Sequence, residues 1–357
     1  MRSRNDPRAG KAWQRLRIRR GLAVAALGSM LLIGCSSVGN PAVEKEPAST
    51  PNSGGTAPVL EEPGAPAIGT DASFWQTWGD GQAELASYAL RIPRYGTIRN
   101  GSAVAIFVTE NFSLSKRVKT DTSPTPGGDA FPVMKLNLVE DFQTGIYDYN
   151  VMTSTFVALQ PVDGRAAGRA TKVSFSSQEW CGQVYHQLLF GQYGIKSALH
   201  SYFEKEADEE RDIAAPRDGI SEDVLMHWAR GMALPILKPG ETRGVSLLPS
   251  LQSSRFQHQA LGWREAKLSR SEASEAITVP AGTFDVEAFR VQIQGGVNRT
   301  YFVEKAAPHR VVKWMADDGE SAEMLRSIRS KYWQENDPAS EPKLGELGLN
   351  PRPPHTM

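Results

Sequence analysis

Between residues 72 and 335 the dominant period of the chain is two. Val104, Ile106 and Val108 alternate with Ala105, Phe107 and Thr109, and Met134, Leu136 and Leu138 keep the same rhythm. Successive side chains of a strand point to opposite faces of a sheet, so this period predicts strands with a face on a core. The same reading predicts strands over 172–176, 182–189, 195–203, 286–294, 299–303, 311–315 and 324–332. Turn residues separate them at 191–194, Gly295-Gly296, Ala307-Pro308 and Asp317-Asp318-Gly319, and Asn100-Gly101 predicts a tight hairpin. The expected fold is mainly β, with curved, half-barrel-like antiparallel sheets.

One stretch departs from that period. Ser221-Glu222-Asp223-Val224-Leu225-Met226-His227-Trp228-Ala229-Arg230-Gly231 supplies an N-cap serine, acidic first-turn residues, Leu225 and Trp228 on one face, and a glycine stop. It predicts one short helix over 221–231. An acidic run (Glu204, Glu206, Asp208, Glu209, Glu210, Asp212) precedes it, and Pro235 and Pro239 follow. The expected link therefore divides the β-rich part into halves at 72–218 and 219–335.

The N-terminus is organised differently. Residues 1–20 hold eight basic residues against one acidic, Asp6, and 21–34 are uncharged and mostly apolar, ending in Leu31-Leu32-Ile33-Gly34 before Cys35. Fourteen residues are too few to cross a hydrocarbon core, which needs about 20. The order of basic, apolar and small residues is that of a cleaved signal peptide over 1–34. Residues 35–71 then turn to Pro, Gly, Ser, Ala and Glu, a composition that cannot bury enough surface to order itself. As a flexible coil this tether of about 35 residues spans roughly 30 to 35 Å. The Pro-rich stretch 336–357 is expected to be a disordered tail.

Charge follows from that division. The whole chain is neutral, with 40 basic and 40 acidic residues, but cleavage after residue 34 leaves 32 against 39, about −7. No basic cluster follows Cys35, so a nucleic-acid partner lacks the basic face it would need. With only two cysteines, and Cys35 assigned to the leader boundary, Cys181 has no intramolecular partner and no disulfide framework is expected.

Candidate chemistry concentrates at Gln178-Glu179-Trp180-Cys181-Gly182-Gln183-Val184-Tyr185-His186 and His200-Ser201-Tyr202-Phe203-Glu204. A thiol with His200 or Glu204 nearby suggests a cysteine nucleophile. A hairpin centred between Gln192 and Tyr193 would pair Tyr185 with His200 and set Cys181 opposite Glu204. His200 then lies four residues from Cys181 along the strand, roughly 13 Å away. A carboxylate beside the thiol also disfavours the thiolate. The expected role of Cys181 is a packed thiol. No metal-ligand spacing, glycine-rich phosphate loop, serine elbow or cofactor motif is present, so no metal and no cofactor are expected. The seven tryptophans after Cys35 read as core.

Three resemblances add to this. Leu32-Ile33-Gly34-Cys35 resembles the lipobox of bacterial lipoproteins, which implies lipidation of Cys35 and a membrane partner through that lipid. Ser36 lacks the aspartate of inner-membrane retention, which implies the inner leaflet of the outer membrane, facing the periplasm. Val279-Pro280-Ala281-Gly282-Thr283-Phe284, with Tyr301-Phe302 and Val311-Val312-Lys313, resembles β-rich envelope proteins related to LolA/LolB-like half-barrels, which implies a concavity able to hold an acyl chain. Tyr95-Gly96, Thr144-Gly145-Ile146-Tyr147, Gln178 to Gly182 and His200 to Glu204 resemble envelope lipoproteins labelled septum formation inhibitor Maf. That likeness implies a role in septum formation. The Ser-x-Ser-Pro-Arg-Arg motif of Maf pyrophosphatases is absent, its nearest counterpart being Ser113-Leu114-Ser115-Lys116-Arg117-Val118. The sequence thus leads to a lipid-anchored, non-catalytic envelope module for an acyl ligand or envelope protein, with an extracytoplasmic enzyme using Cys181 as the alternative.

Overall fold

A computed structural model describes residues 68–206 and 208–351. The expected leader and lipidated Cys35, and nearly all of the tether, lie outside the described residues.

The first half supplies strands β1 (Ala83–Arg94), β2 (Thr97–Ser113), β3 (Ala130–Thr144), β4 (Tyr147–Ala158), β5 (Ala170–Glu179), β6 (Gly182–Phe190), β7 (Ile195–Ser201) and β8 (Glu209–Ile213). The second supplies β9 (Ile220–Ser221), β10 (Thr242–Leu248), β11 (Arg264–Arg270), β12 (Glu275–Val279), β13 (Gly282–Ile293), β14 (Arg299–Glu304), β15 (Val311–Ala316) and β16 (Ser321–Ser330). They form one open, curved sheet in the order β8-β7-β6-β5-β4-β3-β2-β1-β16-β15-β14-β13-β11-β10-β9, with β12 paired to β13. All pairings are antiparallel except β9 on β10. The sheet is continuous across the boundary expected at 218, because β1 pairs with β16.

The inner face of the sheet is covered by the chain's own connection between β9 and β11. It holds a 3-10 turn (Glu222–Val224), helix α2 (Leu225–Ala229) and helix α3 (Leu251–Gln257); an earlier helix, α1 (Ala72–Trp78), precedes β1. The expected helix is present in this tighter form. Ser221 accepts the Asp223 amide, and Gly231, at φ 74°, closes the element. Leu225, Met226, His227, Trp228 and Ala229 are all buried, so this short helix is held by packing on every side rather than by propensity.

Two polar links fasten α2 to the sheet. Arg230 forks onto Glu84 of β1 at 2.7 and 3.1 Å, both side chains almost fully buried, and lies over the Phe107 ring at 4.2 Å. His227 Nε2 meets the Thr155 hydroxyl at 2.8 Å. Burial, reinforced by Arg230, lowers the His227 pKa to about 3, so the ring is neutral.

Three expectations change. Asn100-Gly101 lies inside β2, and the hairpin turns at Tyr95-Gly96, both in left-handed conformation. A Cβ at Gly101 would come 2.3 Å from the Asp141 carbonyl, so close strand approach rather than a turn requires that glycine. The tail expected from 336 continues as a 3-10 helix (Pro338–Leu347) against the outer face of β1 and β16. Leu347 is buried there with Ala83, Leu85 and Val108. Ile68, at the end of the expected tether, is also buried.

Candidate functional site

The antiparallel order sends the β1–β2, β3–β4, β5–β6, β13–β14 and β15–β16 turns to one rim. Below that rim, between the sheet and α2 and α3, lies a cavity of about 320 Å³. Its floor is Ile92, Leu136, Thr155, Met226 and Trp314, and its mouth is formed by Arg94, Tyr95, Phe256 and Asp318.

Its polar wall is acidic. Glu140, Glu222, Asp223, Asp318 and Glu320 line it against the guanidinium groups of Arg94 and Arg299. Arg299 Nε donates to Glu222 at 2.9 Å and its Nη1 lies 2.8 Å from Glu320, while Trp314 Nε1 donates to the other Glu320 oxygen at 2.9 Å. Burial opposes the charge on Arg299, and Glu320 and Glu222 more than offset it, so the guanidinium is held well above its ordinary value. Glu222 also accepts the Ser250 amide at 3.0 Å, and Asp223 accepts the Leu251 amide at 3.3 Å, which caps the start of α3. Burial pushes the Asp223 carboxyl up to about 7, with the Glu222 charge adding to it.

Glu140 is the exception in this network. It is 2% exposed, and its Oε2 has no hydrogen-bond partner. Burial, then the charge of Glu320, pushes its carboxyl up to about 8, against a hydrogen bond from Gln252. A buried carboxyl in this state stays protonated at neutral pH. At the mouth, Arg94 lies over the rings of Tyr95, Phe256 and Tyr149 at 4.3, 4.5 and 5.2 Å. It donates to the Phe256 carbonyl and the Tyr149 hydroxyl, and its Nε is buried without a partner.

Glu140 belongs to the inward face Met134, Leu136, Leu138, Glu140, Phe142, all at even numbers on β3. A carboxylate in phase with an apolar stripe is the mark that Glu140 leaves in the sequence. Arg94 closes the inward series of β1 in the same way, after Glu84, Ala86, Tyr88, Leu90 and Ile92.

The residues singled out from sequence lie on the surface, outside this cavity. The β6–β7 register pairs Tyr185 with His200 as expected. Cys181, however, sits in the β5–β6 turn, is exposed, and is therefore not the packed thiol expected. The Glu179 carboxylate, by hydrogen bond and charge, raises the thiol pKa, the reverse of nucleophile activation. His200 is exposed and pairs with Asp208 at 3.1 Å, and Glu204 is exposed in a 3-10 turn. Among the described residues no group of three or more His, Cys, Asp or Glu is placed to hold a metal ion.

No family model matches the chain, and no curated protein matches it. Its fold is similar to a crystal structure from Brucella abortus described as a beta-barrel-like protein of domain of unknown function DUF1849. The TM-score is 0.40 at 11% identity, over 70% of this chain and 98% of that one. Tyr95-Gly96, Thr144 to Tyr147, Gln178 to Gly182 and His200 to Glu204 lie at this same rim. Tyr95, Ile146, Trp180 and Tyr202 are strongly exposed at turns of the cavity's rim, and Tyr147 bridges Tyr149 and Trp180 with ring centroids 6.0 and 6.4 Å apart.

Proposed function

We propose that this protein is a lipid-anchored cell-envelope protein whose β-sheet body binds a small polar ligand in the Glu140 cavity without transforming it. The observation that carries the binding reading is a cavity lined by charged side chains in which a buried carboxylate oxygen, Glu140 Oε2, lacks a partner. Buried polar groups are almost always satisfied, and a group left without a partner calls for an explanation. A bound molecule supplies one.

An acyl ligand fits less well. The inner face that would take a chain carries α2, α3 and their connections, and the remaining cavity presents five carboxylates. Cys181, His200 and Glu204 are all exposed, and Glu179 raises the thiol pKa instead of activating it, which speaks against the cysteine-enzyme alternative. The anchoring half of the proposal rests on Leu32-Ile33-Gly34-Cys35 and the Pro-rich tether, and on the resemblance it favours the outer membrane.

Both halves have direct tests. Cys35→Ala should move the protein from the membrane to the soluble fraction of fractionated cells and abolish labelling by a radiolabelled fatty acid. Denaturing the natively purified full chain should release a near-stoichiometric small polar molecule, seen by mass spectrometry. Leu138→Trp, which fills the cavity from the β3 wall, should remove it. Release of a fatty acid, or of nothing, would overturn the binding reading.

A further inference from the structure

We infer that the ligand of this cavity is a small organic cation, held through a protonated amine by the Glu140 carboxylate. This rests on the binding reading above and deepens it. The wall carries more acidic than basic side chains. Glu140 holds a proton, and the other four carboxyl groups face two guanidinium groups; Arg299 is shared by Glu222 and Glu320, and Arg94 is occupied at the mouth by three aromatic rings and three hydrogen bonds. An anion entering would meet an excess of like charge in a low-dielectric space, whereas a cation would offset that excess.

Glu140 Oε2 is buried and unpartnered, while the oxygens of Glu222, Asp223 and Glu320 are engaged by Arg299, Trp314 and the amides of α3. An ammonium group donates three hydrogen bonds and can satisfy Glu140 directly, at the charge-assisted strength of such pairs. Absence of a metal-holding set among the described residues favours an organic cation over a divalent ion. The volume is at the lower end for small-molecule sites, and Trp314 and Tyr301 supply ring surface beside the acidic wall.

Glu140 is faced by Glu320 and Arg299 from the β14 and β15–β16 side, by Gln252 from α3, by Glu222 and Asp223 from the α2 connection, and feels the neighbouring Asp141. Since its carboxyl holds a proton at neutral pH, amine binding expels that proton. Affinity should therefore rise with pH up to about 8, by at most about tenfold per pH unit.

The test uses the lipidated full chain in detergent and follows thermal unfolding with 1,4-diaminobutane, 1,4-butanediol, succinate and magnesium as probes. The expected result is a saturable rise in Tm with the diamine alone, strengthening from pH 6 to 8. Glu140→Gln should weaken the diamine at least about tenfold while its ligand-free Tm does not fall below wild type. Leu138→Trp should abolish the response by occlusion. A diamine response unchanged in Glu140→Gln overturns the inference, as does a shift with magnesium. A response to butanediol or succinate that Leu138→Trp removes would keep the cavity as a binding site and overturn the amine assignment. No response to any probe, with no molecule released on denaturation, would overturn both readings.

Discussion

Glu140 ties local chemistry to a measurable property of the fold. Its carboxyl ionises near its ordinary value in the unfolded chain and only at about 8 in the native one. Between pH 4.5 and 8 the native state therefore holds a proton that the unfolded state has released, so this group's contribution to stability is present at pH 4.5 and lost as pH rises to 8. Glu140→Gln keeps the shape and removes the titration. Its Tm should vary less over that window and exceed wild type at pH 8 by several degrees, as scanning calorimetry of both proteins can check. His186 and His227, lowered to about 4 and 3 mainly by burial, act oppositely, their contribution being lost as pH falls below 6.5. They are common to both proteins and cancel in the difference. At Cys181 the expected outcome is one thiol that reacts with a maleimide in the native protein, with a rate midpoint above that of a free cysteine because of Glu179. Glu179→Gln should move the midpoint down.

Among the elements, β1 shows why some strands escaped the period-two reading. Ala83 to Tyr88 are buried in an unbroken run, because β1 sits mid-sheet with α2 on one face and the 338–347 helix on the other. A strand covered on both sides loses the alternation that marks a half-exposed one. Strands β6 and β7 keep alternation and a short turn, and there even the register was legible. Strand β1 also carries Glu84, whose pairing with Arg230 spans 146 positions in the sequence. Removing one partner of a buried pair leaves the other charge uncompensated, at about 3 to 5 kcal/mol. Arg230→Met should lower Tm sharply, and adding Glu84→Gln should recover part of the loss, a coupling that a double-mutant cycle by chemical denaturation measures.

For the whole molecule, the sheet closes no barrel, so its two edges need protection. Strand β8 presents Glu209, Glu210 and Asp212, and β9 is only two residues long; both are features that discourage edge pairing. The outer face of β1, β2 and β16 is protected instead by the C-terminal helix. Ending the chain after Asn336 would uncover Ala83, Leu85 and Val108 and remove the Leu347 carbonyl that accepts the Ser87 hydroxyl. That truncation should lower Tm and raise binding of a hydrophobic dye relative to full length. A Pro-rich composition reads as disorder when no surface is there to receive it, and here that surface is built by the preceding strand β16 together with β1, whose Ser87 lies 260 positions from Leu347.

Local patterning sufficed for whatever depends on near neighbours. The mainly β class, the β6–β7 register, the short helix at 221–231 with its Ser221 cap, and the turns at 295–296 and 317–319 were all readable from residue order, because strand period, capping and turn preference act over a few positions. The cavity was not. Glu140, Arg94, Asp223, Arg299 and Glu320 come from β1, β3, β14 and two connections, and each looks unremarkable alone. Only when β1 meets β16 and the 222–257 connection covers the inner face do they share one space. Burial there turns an ordinary glutamate into a protonated acid with one oxygen left unpartnered.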